Sequence, residues 1–270
     1  MITLEKFNEI REEVIRLIDN ALYQLFKNYS EEYILFMARG EYSEIIAQNK
    51  TLNLTPYTIC GHREDYYYDE TREKFLCNFL NTHYTFLKTN IIENNFDRIN
   101  IELMIYQHIW EAKLFIKMLY RMANLLCGKD YDWNVKIPIK KTDFFQNQVI
   151  TSFKNAKCKL GEIIEKCYNT DLRNAIAHSD YQLDEHSKTI RYTSKTALCD
   201  ISFDDWSEYF AYSFCLSYYL LKKVSERRHR IVFDWGKNAF TIKMPFSNGT
   251  IQHVCLTYDV ERDDFNFVKK

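Results

Sequence analysis

The side chains best suited to chemistry fall in one short run, Asp171-Leu172-Arg173-Asn174-Ala175-Ile176-Ala177-His178-Ser179-Asp180-Tyr181. It sets a permanently charged guanidinium and an imidazole that titrates near neutral pH five residues apart. A cation to hold a phosphate and a base to move a proton are parts that phosphodiester cleavage uses. Asp171, after Asn169 and Thr170, can cap a helix, and Asn174 and His178 then share a face of it. Arg173 lies roughly 140° around the axis from His178, so its long stem, or a frayed helix end, is what lets the two converge. Ala175 and Ala177 leave room for a second helix, so two copies could meet across a two-fold axis and pool two Arg and two His in one cleft.

Arg173-Asn174, three further residues and His178 are expected between two long helices. A capping Asp precedes them, and a polar connection and an aromatic-rich helix follow. This arrangement resembles the HEPN ribonuclease family over about residues 96–230, most specifically from Arg173 to His178. The resemblance implies a small helical bundle, commonly a homodimer, that cuts RNA without a metal or other cofactor. It also implies a role as a toxin or antiphage defence effector, with an antitoxin or sensor protein as a further partner. Some members carry a Tyr two residues after the His, used for regulation by nucleotide transfer. Tyr181 lies three after, so that regulation is not carried over.

In such a site His178 takes the proton of a ribose 2′-OH or gives one to the 5′-oxygen. Arg173 holds the scissile phosphate and steadies the transition state, and Asn174 orients the phosphate or the imidazole. The products are a 2′,3′-cyclic phosphate and a 5′-hydroxyl. A structural role for the same residues pairs Arg173 with Asp171 or Asp180, uses Asn174 as a cap or bridge, and leaves His178 at a helix end where its cation suits the dipole. The chain would then be a non-catalytic partner module for a nucleotidyltransferase or another protein, or a sensor in which Arg173 grips a nucleotide without chemistry.

A net charge of -1 over 270 residues gives no overall attraction to nucleic acid or membrane, so RNA binding has to come from local clusters. The densest is Lys222, Lys223, Arg227, Arg228 and Arg230, which suits a helix C-terminus and is also a candidate RNA-guiding patch. Tyr66-Tyr67-Tyr68 invites base stacking but fits packing better in a chain that is 16% aromatic. Eight cysteines without a Cys-x2-Cys pair give no zinc spacing and read as reduced core residues of a cytoplasmic protein. The first residues begin a charged amphipathic helix rather than a signal segment, and the longest uncharged run, Tyr209 to Leu221, is too short for a membrane span.

The fold expected is mainly α: a HEPN-like helical bundle over 91–230, an N-terminal helical region over 1–90 and a small C-terminal antiparallel β-meander over 231–270. Apolar spacing predicts helices over 3–28, from Ser30 to near Gln48, 69–89 with His83 as a core histidine, 97–127 stopping at Gly128, and 142–168. Glu111, Lys113 and Lys117 face either the Arg/His cleft or solvent. A turn at 184–188 suggests a small hairpin, and Ser202 with Asp205 opens a helix to about Arg228. Strands are expected at 231–235, 240–246, 254–260 and 265–268, with a hairpin turn at Ser247-Asn248-Gly249-Thr250.

Overall fold

The computed structural model describes residues 2–49, 54–59, 71, 74–76, 78–79, 96–194, 197–246 and 250–268. The boundary near residue 90, His83, Tyr66 to Tyr68, most of the helix expected over 69–89 and residues 247–249 of the expected hairpin turn lie outside them.

The first helix, α1 (Leu4–Asn28), forms as its spacing predicts. Thr3 caps it by accepting from Lys6 N at 3.1 Å, and Phe7, Ile10, Val14, Leu17, Ile18, Ala21, Leu22 and Leu25 are buried. The helix expected from Ser30 to Gln48 is two pieces, α2 (Ser30–Met37) and α3 (Glu44–Gln48). Arg39 turns left-handed (φ 52°), and at Gly40 a Cβ would lie 2.9 Å from the Trp133 ring, so only glycine fits there. Between the pieces β1 (Glu41–Tyr42) pairs with β2 (Tyr57–Thr58).

The helix expected over 97–127 is also divided, into α4 (Phe96–Glu111) and α5 (Lys113–Leu126), because Ala112 is extended with ψ 107°. Its end at Gly128 (φ 76°) is as predicted. The helix expected over 142–168 is a π-helical segment, Phe144–Ile150, running into α6 (Thr151–Asn155), then α7 (Leu160–Cys167), with left-handed Lys157 (φ 54°) in the gap. Next comes α8 (Thr170–His178), which packs against α4. The hairpin after it is a three-stranded antiparallel sheet: β3 (Tyr181–Asp184), β4 (Thr189–Thr193) and a strand not expected, β5 (Leu198–Ser202).

Ser202 caps α9 (Phe203–His229) by accepting from Asp205 N at 3.1 Å, as its spacing predicts. The helix is buried on most sides and packs against α1, α4 and α7. Residues 231–235, expected as a strand, form a helical turn, α10 (Ile231–Trp235), stopped by left-handed Gly236 (φ 64°). Strand propensity gives way there to continuation from the helix before it, through Asp234 N donating to Arg230 O at 2.8 Å. The chain ends in the expected antiparallel meander, β6 (Ala239–Pro245), β7 (Ile251–Asp259) and β8 (Asp264–Phe267), with Phe240 opposite Leu256 and Ile242 opposite Val254. Buried residues from the N-terminal helices through the C-terminal meander form one core, to which α3 contributes none, and the architecture is mainly helical. No helix among the described residues is long and apolar enough to cross a membrane.

Candidate active site

The helix α8 carries all three residues singled out for catalysis. Its cap is Asn169 rather than Asp171: the Asn169 Oδ1 accepts from Leu172 N at 3.0 Å, while Asn169 N donates to the buried Tyr106 hydroxyl at 3.0 Å. Leu172, Ala175 and Ile176 are buried, which presses one face of the helix into the protein and takes Arg173 with it. Ala177, His178, Ser179 and Asp180 are exposed at the other end. That end closes with Ser179 left-handed (φ 59°), Ser179 N donating to Ile176 O at 3.2 Å and Asp180 N to Ala175 O at 2.8 Å, the bond pattern of a Schellman cap.

Arg173 is held from two sides. Its Nη2 donates to Asn174 Oδ1 at 2.6 Å and its Nη1 to Glu111 Oε1, while its buried Nε has no partner. The acid that pairs with it is therefore neither Asp171 nor Asp180. Glu111 is the last residue of α4, and its other oxygen accepts from Lys141 Nζ. Lys141, for which the sequence gives no signal, also reaches Trp110 O at 3.4 Å. Two cations thus share one carboxylate, with the Arg173 and Lys141 side chains 9% and 8% exposed against 39% for Glu111. Burial lowers the Lys141 pKa below the usual lysine value; Glu111 pulls it back up, and the charges of Arg173 and Lys113 push it down again. Burial raises the nearby Tyr168 phenol, which lies in electrostatic reach of both Arg173 and Glu111.

The structure brings Arg173 and Asn174 together, and neither of them bonds to His178, which is one turn from Asn174 on the helix. Among the described residues the His178 ring makes no hydrogen bond or ion pair, and it stands on the exposed side while Arg173 points inward. Lys117 belongs to a different buried group, donating to Glu41 Oε1 at 3.1 Å beside Arg121, which reaches Glu41 Oε2 at 3.0 Å.

The basic run at the end of α9 is tied down residue by residue. Lys223 pairs with Asp19 and Glu226, Arg227 with Asp19, Arg230 with Asp234, and the buried Arg228 with Asp263. Lys222 lies about 6 Å from the Tyr218 and Tyr219 ring centres. No group of three or more His, Cys, Asp or Glu among the described residues is placed to hold a metal ion. Comparison of the chain with protein-family models, curated proteins and solved structures finds no match.

Proposed function

We propose that this chain is a metal-independent endoribonuclease of HEPN type, in which a ribose 2′-OH attacks the neighbouring phosphate and leaves a 2′,3′-cyclic phosphate and a 5′-hydroxyl. The observation that carries this reading is an exposed, uncommitted imidazole at the end of the same nine-residue helix that holds an oriented arginine. His178 moves the proton, Arg173 balances the charge gathering on the phosphorus oxygens, and Asn174 keeps the guanidinium in its plane. Because Arg173 and His178 leave α8 on different sides, the reading includes a homodimer that meets at the exposed run from Ala177 to Asp180 and pairs the His of one copy with the phosphate held by the other. Ala175 is committed to its own core, so Ala177 is the small residue at that contact. Growth arrest as a toxin or antiphage effector, restrained by an antitoxin or sensor protein, is the setting this activity fits.

The test is cleavage of single-stranded RNA in EDTA by wild type, Arg173→Ala and His178→Ala, with the product ends identified. Wild type cuts and leaves cyclic phosphate, and either change lowers the rate about 100-fold or more. Cutting that survives both changes, or that needs an added divalent metal, removes the reading.

A second reading has its own support in the closure of Arg173 beneath Glu111. A guanidinium already engaged by a carboxylate suits a catalytically silent helical module that docks a nucleotidyltransferase or another protein through the α8 end. A native particle that contains such a partner and shows no nuclease activity favours it.

A further inference from the structure

The Arg173 cluster holds more positive charge than it balances. Arg173 and Lys141 are both about nine-tenths buried and share the single carboxylate of Glu111, and the Arg173 Nε has no partner. A buried cation without full compensation is costly, and an entering anion relieves that cost. The geometry says which anion fits. Glu111 offers one oxygen to each cation, and a phosphodiester presents two non-bridging oxygens that can bridge the same pair. Exposure says which partner moves: the cations are fixed in the wall, while the carboxylate lies on the solvent side at the last residue of α4, beside the break at Ala112.

We propose that Arg173 and Lys141 together form the phosphate cradle of this chain, that Glu111 is its resident counter-ion, and that an RNA phosphate enters by displacing the Glu111 carboxylate. The inference rests on the ribonuclease reading for its choice of RNA and adds to it a second phosphate-binding cation, Lys141, and a built-in restraint, Glu111. The restraint lowers affinity for any phosphate that cannot outcompete an internal acid, so the site favours a polyanion anchored at several places over a lone phosphate ion.

The probe is a single-stranded RNA with 2′-O-methyl groups throughout, which cannot attack its own phosphates, so binding is read apart from cutting. Its affinity is measured by fluorescence anisotropy across a salt series for wild type, Glu111→Gln and Lys141→Met, alongside cleavage of unmodified RNA and thermal melting. Lys141→Met weakens binding about ten-fold and flattens the salt slope by about 0.7, the signature of one fewer phosphate neutralised on a single strand. Glu111→Gln, which keeps the shape and removes the charge, binds several-fold tighter. An unchanged slope in Lys141→Met overturns the cradle, as does weaker binding by a folded Glu111→Gln. Should Glu111→Gln melt too low to assay, the Lys141→Met slope decides alone. Wild type that cuts RNA while both variants bind as wild type does removes the cradle and leaves the ribonuclease reading. Wild type that never cuts, yet binds the probe through Lys141, removes the ribonuclease reading and keeps the cradle.

Discussion

Two helices in this protein, α8 and α9, carry both arginine and histidine, and they are wired in opposite ways. At the end of α9 the basic side chains are dense, yet Lys223, Arg227, Arg228 and Arg230 each have an acid on another turn or element, and the His229 Nδ1 lies 2.8 Å from Ser225 O. At α8 there is one arginine and one histidine, the arginine shares its acid with a second cation, and the histidine has no polar partner among the described residues. An unpaired nitrogen does not separate them, since the Arg228 Nε is orphaned as well. What separates them is the ratio of cations to carboxylates. An anion is drawn to the excess of positive charge over local acid, and the count of basic residues along the chain does not report that excess.

The largest effects should fall on function. The ribonuclease reading has Arg173→Ala and His178→Ala each losing about 100-fold or more in RNA cutting. Charge reversal at the α9 end, Lys223→Glu with Arg227→Glu, should change single-turnover cutting by no more than a few-fold, because those side chains already spend their charge on Asp19 and Glu226. If the α9 reversal proves the more damaging, the two ends have been assigned the wrong way round.

Stability should show the reverse order. Asp263→Ala removes the acid facing Arg228, whose side chain is 3% exposed, and takes an acceptor from the Tyr258 hydroxyl; the loss should be about 2 kcal/mol in urea unfolding. His178→Ala, at an exposed position, should cost about 0.5 kcal/mol, the scale of a helix-dipole interaction. A His178 variant that unfolds as readily as the Asp263 variant would mean that the ring is structural.

The lysines of the two regions titrate in opposite directions. At Lys223 burial lowers the pKa, but the hydrogen bonds to Glu226 and Asp19 outweigh it and the net shift is upward; at Lys141 burial wins and the shift is downward. A raised lysine contributes stability that is complete below 10.5 and fades as pH climbs through its folded value. A lowered one costs stability near neutral pH, and that cost vanishes as pH rises towards 10.5. Lys141→Met should therefore gain on wild type near neutral pH, with the gain shrinking as pH approaches 10.5, while Lys223→Met should lose near neutral pH, with the loss fading above that value. The common alkaline decline from Tyr33 and Tyr209, pushed up to about 12 by burial, cancels in the difference. Thermal melting of the three proteins over this range reads the two signs directly.

What could be read from the sequence follows the range of the forces involved. The buried face of α1, the Ser202 cap of α9 and the alternation of β6 and of Leu256 and Tyr258 in β7 are set by residues within a few positions of each other and formed as expected, although β7 starts at Ile251 and ends at Asp259, leaving Val260 exposed beyond it. The break at Ala112 has no proline or glycine to announce it, and Ile-Val-Phe at 231–233 has strand composition although α9 leads it into a helical turn. At the site, the helix and its three candidate residues were legible. The acid was misassigned to Asp171 or Asp180, with Glu111 named only as facing the cleft or solvent, because Glu111 is 62 residues from Arg173 and 30 from Lys141, and nothing local in the sequence encodes that meeting.

The smallest effect distinguishes the two ends at the level of backbone. Ser179 closes α8 in the left-handed region (φ 59°), whereas Arg230 closes α9 in the right-handed one (φ -93°). A non-glycine residue in the left-handed region is strained by about 1 kcal/mol, and glycine gives back roughly 0.5–1 kcal/mol in unfolded-state entropy. Ser179→Gly should consequently be neutral to about 0.5 kcal/mol stabilising in urea unfolding. Arg230→Gly has no strain to relieve and removes the ion pair with Asp234, so it should be about 1 kcal/mol destabilising. RNA cutting by Ser179→Gly should match wild type, since the bond from Asp180 N to Ala175 O that closes α8 just after His178 needs no side chain at residue 179. Ser179→Val keeps the strain and adds a β-branched side chain that resists this conformation, so it should lose stability and cutting together. Full activity in the valine variant would show that the reaction does not depend on how α8 ends.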